Sequence, residues 1–386
     1  MQKRNIPVAW KQLMKQKGRM LVAIAGITFA DMLMFMQLGI RDALFNGAVQ
    51  LHSGLKADLV LTSKNYQTIV SPTTFAERRL YQVEGFSGVQ SVVPVYADFG
   101  KWKNPSDRTS WSILVLGFNP RTQAVTLPGV AENQQKLELP DTVLFDQGAR
   151  TEFGNIADLI KQGNPVVTEV ENRQIRVEGL FKLGTSFGIN GTLITSDINF
   201  LRMMNSKRKP GAISLGLVQL EAGVNRDEML QKLRNELPND VKILTKADFI
   251  EAERQYWANG TAIGYTFTLG AVIGFVVGAV IVYQILYSDV RDHLPEYAIL
   301  KAIGFRDRFL LSIVFQEALI LALLGFLPGI GIASFVYGNM QRNTLLPIYM
   351  TPERATLVFV LTCGMCTVSA AIAVRKLSSA DPAEVY

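Results

Sequence analysis

Histidine and cysteine are almost missing, with two of each in 386 residues. His52 and His293 stand far apart, and Cys363 and Cys366 share one apolar stretch. A Ser-His-Asp triad or a histidine-based metal site therefore has almost no raw material, and a disulfide framework has none in the polar part of the chain. The Cys-x-x-Cys spacing admits a redox reading. However, no histidine or polar partner surrounds it, and small polarizable residues are common where membrane helices pack. A G-x-x-x-x-G-K-[ST] phosphate loop is also missing, so energy from ATP is expected to come from a different chain. A basic stripe is missing too. The 39 basic and 33 acidic side chains leave an excess that collects before residue 20, while residues 41–261 are close to neutral, so no nucleic-acid partner is expected.

Long apolar runs are present. Four stretches with few charges extend from Met20 to Ile40, Trp257 to Ser288, Phe309 to Gln341 and Ala355 to Val374. Each is long enough to cross about 30 Å of hydrocarbon as a helix. Lys3, Arg4, Lys11, Lys15, Lys17 and Arg19 precede the first stretch without an intervening acid, which fixes the N-terminus inside. A cleaved signal peptide shares the basic start. It requires a shorter apolar core and a small-x-small closing site, and neither is found here. The loop from Arg342 to Arg354, expected outside, carries two cations and one acid and runs mildly against the charge rule.

The predicted organisation is a membrane protein with four transmembrane helices and an α+β extracytoplasmic domain inserted between the first and second. Residues 1–19 form a cytoplasmic amphipathic helix, with Ile6, Trp10, Leu13 and Met14 among Lys11, Lys15 and Lys17. The first span is 20–40, the outer domain 41–256, the second span 257–288 and an inner segment 289–308. The third span is 309–337, a short outer loop 338–354, the fourth span 355–374 and a cytoplasmic tail 375–386.

Within the outer domain, Ala57 to Leu61 and Val89 to Val95 read as strands around a helix that Ser71-Pro72 would start. A second β-α-β segment comprises Ile213 to Leu220, Asp227 to Leu237 and Val241 to Leu244. The two are expected to pair into one subdomain close to the membrane. Short strands between them (Ser112 to Gly117, Thr142 to Phe145, Val166 to Val170, Arg173 to Leu180, Thr192 to Thr195) form an inserted distal part. Glu251 and Glu253, on a polar helix, read as a solvated face.

Gly270, Gly274 and Gly278 repeat every four residues in the second span, and Gly325 and Gly329 in the third, with Pro328 between them expected to bend the helix. Such stripes serve a dimer interface or an intramolecular contact equally well. Asp31 and Glu317 are acids inside the apolar windows. Inserting each costs roughly 2.5–3.5 kcal/mol, so each must face protein or water, in a structural or a functional role. The inner segment from Arg291 to Gly304 reads as a short helix, with Pro295 near its start, Lys301 in its last turn and Gly304 as its stop. Ala298, Ile299, Ala302 and Ile303 give it an apolar face suited to docking.

The run Glu296-Tyr297-Ala298-Ile299-Leu300-Lys301-Ala302-Ile303-Gly304, followed by Gln316-Glu317-Ala318, resembles the coupling-helix region of FtsX/MacB-type ABC permeases. Ala380-Asp381-Pro382-Ala383-Glu384 is similar to a tail common in that superfamily. Ala25-Gly26-Ile27-Thr28-Phe29-Ala30, Met34-Phe35-Met36-Gln37-Leu38-Gly39, Arg41-Asp42-Ala43-Leu44-Phe45 and Val143-Leu144-Phe145-Asp146 resemble the DevC family of exporter permeases. The resemblance implies a non-catalytic permease subunit with a MacB-like periplasmic domain. It would work as a homodimer in the inner membrane and bind no cofactor, with ATP and Mg used by a separate DevA/MacB-type ABC ATPase. A DevB-like periplasmic adaptor and a TolC-like outer-membrane channel would complete the assembly. ATP-driven motion would pass through Arg291, Glu296, Lys301 and the apolar face to the spans and then to the outer domain. The implied cargo is lipid-like or hydrophobic, glycolipid being one such. A lipoprotein-releasing permease and an FtsX-like regulator of a periplasmic hydrolase share the topology and stand as alternatives.

Overall fold

The structure is a computed structural model that describes residues 8–293, 307–344 and 347–378. The chain divides into two compact units. One comprises residues 1–43, 262–344 and 348–386, and the other residues 44–261 and 345–347.

The helical unit begins with α1 (Val8–Lys15), followed by α2 (Lys17–Gly54), within which the division between units falls. Along the chain come α3 (Arg78–Glu84), α4 (Val130–Asn133), α5 (Ile156–Lys161), α6 (Asp197–Met203), α7 (Arg226–Glu236) and α8 (Lys246–Asn259), all in the second unit. Then come α9 (Ala262–Asp292), α10 (Asp307–Thr344) and α11 (Pro352–Ser378). Helices α2, α9, α10 and α11 are long and apolar enough to cross a membrane. Pro328 lies inside α10, which continues through it. The second span begins at Ala262, not at the expected Trp257. The preceding helix stops at Asn259, and Trp257 is buried in the sheet unit against Phe187, at 5.0 Å between ring centroids. Its apolar bulk reads as lipid-facing, but a different core takes it up.

The second unit carries β1 (Leu59–Ser63), β2 (Phe75–Ala76), β3 (Val89–Lys103), β4 (Ser110–Phe118), β5 (Thr142–Asp146), β6 (Val166–Val170), β7 (Arg173–Phe181), β8 (Thr192–Ser196), β9 (Ala212–Ile213), β10 (Leu215–Leu220) and β11 (Val241–Thr245). Nine of these make one sheet in the order β11-β1-β10-β3-β4-β8-β5-β7-β6. The first four pair antiparallel and interleave the two predicted β-α-β segments, the arrangement of a split β-α-β fold. β3 is long enough to belong to two structures. Val89 to Val95 pair with β10, and Tyr96 to Lys103 pair with β4. At its far end Trp102 and Lys103 also pair with Val170 and Glu169 of β6, closing β3-β4-β8-β5-β7-β6 into a small barrel.

Both faces of this sheet are covered, so its strands read as nearly continuous apolar runs. Leu59, Leu61, Ile113 and Val115 point into one core with Leu80, Val83, Phe200 and Leu233 from α3, α6 and α7. Val60, Leu114, Leu116 and Leu217 point into the other, with Leu51 of α2, Leu55 just after that helix and Phe249 of α8. Three of the helices start where the sequence supplies a cap: Ser196, Asn225 and Thr245 each accept a bond from a backbone N–H of the first turn. Ser71-Pro72 starts no helix. Phe75 and Ala76 first pair with Ile213 and Ala212, and α3 begins only after that ribbon.

Glu253 corrects the expectation of a solvated face. Glu251 is exposed, but Glu253 is 0% exposed. Its Oε1 accepts from Thr68 Oγ1 at 2.6 Å and Trp257 Nε1 at 3.0 Å. Oε2 accepts from Tyr66 Oη and Ile69 N, each at 3.2 Å, and lies 3.2 Å from Nε2 of the equally buried His52. Burial pushes this carboxyl up, but the bonds from His52, Thr68 and Trp257 outweigh it and hold the group below its ordinary value. The network joins the last turn of α2, residues 66–69 and α8 within the sheet unit.

Asp146 secures the barrel side differently. Its Oδ1 accepts from Gly148 N and Leu183 N at 2.9 and 3.0 Å, and Oδ2 from Gly184 N at 2.9 Å. A side chain at Gly148 would lie 2.7 Å from the Gly184 Cα, so the two backbones can approach only as glycines. Burial outweighs these bonds and raises the Asp146 carboxyl.

The two acids therefore give opposite pH slopes. Glu253, depressed when folded, contributes stability that is complete above the ordinary glutamate value of 4.5 and is lost as pH falls through its lower folded value. Asp146, raised when folded, gains relative stability as pH falls toward 3.8. Glu253→Gln is expected to destabilise the sheet unit by ~3 kcal/mol at neutral pH, because its amide brings donors to a site that already supplies them. It should also remove the acid-side loss of stability. Denaturant unfolding of the full chain in detergent at several pH values, followed by tryptophan fluorescence, checks both effects.

Candidate functional site

In the helical unit, α2 lies between partners that offer it glycines. A methyl group at Gly270 would meet the Gln37 side chain at 2.5 Å. One at Gly274 would meet Leu33 and Met34 at 3.3 and 3.4 Å, and one at Gly278 would meet Ala30 at 2.7 Å and the sulfur of Met365. The three glycines of α9 thus descend along one edge of α2, with the last also touching α11. From α10, Gly325 faces Ile27 at 2.5 Å, and Gly329 faces the Asp31 Cβ at 3.0 Å. Thr28 Oγ1 donates to the Gly325 carbonyl at 3.0 Å, a side-chain bond made possible by this approach. α2 offers notches in return, Gly26 facing Ile281 and Gly39 facing Tyr337. All five glycines singled out in the sequence meet other helices of the same chain.

The two intramembrane acids have different surroundings. Asp31 is 0% exposed, and its Oδ1 accepts from Thr362 Oγ1 of α11 at 2.6 Å. Glu317 on α10 is also 0% exposed, and both its oxygens lack a hydrogen-bond partner among the described residues. Of the inner-segment residues, Arg291 is exposed and lies 3.9 Å from Asp292. Glu296, Ala298, Ile299, Lys301, Ala302, Ile303 and Gly304 lie outside the described residues, as does the tail from Ala380 to Glu384. In α1, Ala9, Gln12 and Leu13 are buried, while Trp10, Lys11 and Met14 are exposed. Cys363 and Cys366 are unbridged, and among the described residues no three His, Cys, Asp or Glu side chains are placed to hold a metal ion.

One ion pair escaped the sequence. Arg354, at the start of α11, is 6% exposed, and its Nη2 and Nε donate to Asp42 Oδ2 at 3.0 and 3.3 Å. Its Nη1 donates to the Tyr349 carbonyl at 2.6 Å, and the guanidinium lies 5.6 Å from the Tyr337 ring centroid. Arg354 is one of the two cations that ran against the charge rule, and here Asp42 neutralises it. The available signal was an acid two residues past the end of the first apolar window and a cation just before the last.

Gly325→Ala is expected to destabilise the bundle by about 1–3 kcal/mol, since the new methyl meets the Ile27 Cβ at 2.6 Å and the Ile24 carbonyl lies behind it. Gly331→Ala, on the same helix with nothing within 4 Å, should be neutral. Thermal unfolding of the two variants in one detergent gives the comparison.

Residues 268–382 match the FtsX-like permease C-terminal family. The pyoverdine export ATP-binding/permease protein PvdT of Pseudomonas putida is 29% identical over 166 residues, which is 42% of this chain and 24% of that protein. Its counterpart in Pseudomonas entomophila is 27% identical over 168 residues, with the same coverage. The chain therefore spans about a quarter of the length of the curated relatives it matches. Among solved structures, the periplasmic region of MacB from Actinobacillus actinomycetemcomitans aligns with 52% of this chain and 94% of its own, at 13% identity and a TM-score of 0.36. The extracellular domain of the transporter YknZ from Gram-positive bacteria aligns with 49% and 99%, at 14% identity and a TM-score of 0.34. Residues 268–382, which take in the last three membrane-length helices, therefore carry an FtsX-like permease C-terminal region, in a chain that has a fourth membrane-length helix and an α/β unit inserted between the first and second.

Proposed function

We propose that this chain is the membrane-spanning subunit of an ABC exporter, driven by ATP that a separate subunit hydrolyses with Mg. The observation that carries the proposal is the FtsX-like permease match over residues 268–382 in a sequence without a phosphate-binding loop. The Pseudomonas relatives, named as export proteins, combine ATP-binding and permease parts, and this chain matches a quarter of their length. Two copies of the permease would pair with two copies of a DevA/MacB-type ATPase. A DevB-like adaptor and a TolC-like channel would extend the assembly across the envelope. The termini lie in the cytoplasm and the sheet unit in the periplasm, as the N-terminal cations favour.

The mechanism that fits is mechanotransmission. ATP-driven closure of the partner moves the segment 294–306, which shifts the spans, and these move the sheet unit against cargo already outside the inner membrane. A buried network in the sheet unit supports this reading. Residues 44–261 enter the unit through α2 and end just past α8, and Glu253 and His52 tie those helices within one buried network. A DevC-type role, with a lipid-like or hydrophobic cargo, follows from the first-span and Val143-to-Asp146 resemblances.

Purification of the intact chain in mild detergent, with ATPase assay and identification of whatever accompanies it, tests the proposal. Recovery of an ABC ATPase together with a periplasmic adaptor supports the exporter. An ATPase alone favours lipoprotein release or FtsX-like regulation, and recovery of neither overturns the assignment. Replacing both Ala298 and Ala302 with Asp is expected to abolish ATPase recovery while leaving membrane insertion intact. Unchanged recovery would remove the docking role from that face.

A further inference from the structure

We propose that Phe187, at the tip of a tight hairpin in the sheet unit, rests in the headgroup layer of the leaflet on that side of the membrane, so that the unit meets lipid directly as well as being joined to the spans. Ser186 N donates to the Ile189 carbonyl at 2.9 Å and Ile189 N donates to the Ser186 carbonyl at 3.3 Å, which leaves Phe187 and Gly188 as a two-residue turn. Gly188, at φ +84°, supplies the left-handed backbone that such a turn needs. Turn positions usually carry glycine, proline, asparagine, aspartate or serine. Here the first carries a phenylalanine, and 38% of it is exposed.

The tip is held in place. The Phe187 ring meets Trp257 at 5.0 Å between centroids and 69° between planes, an edge contact that takes up one side of it. The indole is fixed in turn, because its Nε1 donates to the buried Glu253 at 3.0 Å. A methyl group at Gly188 would meet Val70 at 3.2 Å and the Trp257 ring at 3.8 Å, so the turn itself lies against both. Packing on Trp257 explains why the ring sits where it does, and the exposed remainder of the ring faces out of the unit.

Two chain connections limit how far this tip stands from the hydrocarbon. Along α2 the first apolar window closes at Ile40, and Gly47 of the same helix lies about 10 Å beyond it. Headgroups occupy about 5–8 Å outside the hydrocarbon on each side. The loop runs along α2 toward the span, with Gly184 nearest Gln50 and with Thr185 and Ser186 against Gly47. Phe187 follows at once. On the other side, Trp257 precedes Ala262, where α9 begins, by at most about 18 Å even if the residues between were extended. Tyr265 and Leu269, in the first turns of α9, are exposed on a helix apolar enough to lie in lipid. The tip is therefore tied through α2 and through Trp257 to the places where two spans leave the bilayer, and there an aromatic ring is favoured over the same ring in water. Ile198 is more exposed, at 65%, but belongs to α6, which packs on β3, β4 and β8.

Spin labels in the full chain, reconstituted in nanodiscs of phosphatidylcholine and phosphatidylglycerol, test this without an ATPase partner, and so independently of the exporter assignment. Phe187→Cys and Ile198→Cys are made separately, with Cys363 and Cys366 replaced by Ala. The ratio of collisions with oxygen, which concentrates in lipid, to collisions with the water-soluble complex NiEDDA is expected to be several-fold higher at position 187 than at 198. An equal or lower ratio at 187, or a label there that both reagents fail to reach, would overturn the proposal, the latter by assigning the tip to a protein contact. Should the chain without its cysteines fail to fold, p-benzoylphenylalanine introduced at position 187 of the otherwise unaltered chain gives the same reading. Irradiation in the nanodisc must then add the mass of a phospholipid at 187 and not at 198, and any other pattern overturns the proposal equally.

Discussion

An acid taken out of water must find compensation nearby, and how this chain supplies it differs between the two units for a physical reason. In the sheet unit, loops bring free backbone N–H groups to the carboxylate. Asp146 takes three, and Glu253 takes one together with side-chain donors. In the bundle, backbone N–H groups are consumed by the helices themselves. Only side chains remain, and the acids there use a guanidinium at Asp42 and a hydroxyl at Asp31. The positions of Thr362 and Arg354 become intelligible as the consequences of Asp31 and Asp42.

The same scarcity shapes helix packing. Apolar side chains gain little by leaving lipid for a helix interface, so close backbone approach must supply the attraction. α2 secures it on two sides, through Gly270, Gly274 and Gly278 on one and Gly325 and Gly329 on the other. A helix held by such notches has little freedom to slide without separating from its neighbours, because each notch is filled by a particular side chain of the partner. It moves with them or breaks contact.

Much of this was legible in the residues, and what was not had a common cause. The four spans, most strands of the sheet unit and three helix caps follow from local periodicity and local chemistry. What escaped depends on contacts across long sequence separations. Arg354 meets Asp42 across 312 residues, and barrel closure pairs Trp102 with Val170. Trp257 reads as lipid-facing because a hydropathy window does not distinguish a bilayer from a protein core. Glu253 is the instructive miss. It shares local composition with the exposed Glu251, yet Phe249, Glu253 and Trp257 recur at intervals of four and so lie on one face, flanked by two large apolar residues. That stripe was readable as a buried side. The inner segment carried the most specific motif, and its residues from Glu296 to Gly304 lie outside those described, so the glycines, Asp31 and Glu317 are the candidate residues whose surroundings the structure supplies.

The distribution of unpartnered polar atoms bears on how such a bundle could work. A polar cargo crossing it would need donors and acceptors spaced along its length and free to bind. Among the described residues, the buried unpartnered side-chain atoms of the helical unit belong to Gln12, Arg19, Asp31, Asp289 and Glu317. Four of these five lie on α1, at the start of α2, or at Asp289 and Glu317. Only Asp31 stands apart, with Thr362 already on one of its oxygens. Among the described residues, the unpartnered polar atoms are therefore gathered mostly at one end of the bundle. That end is also where α9 reaches the limit of the described residues at His293.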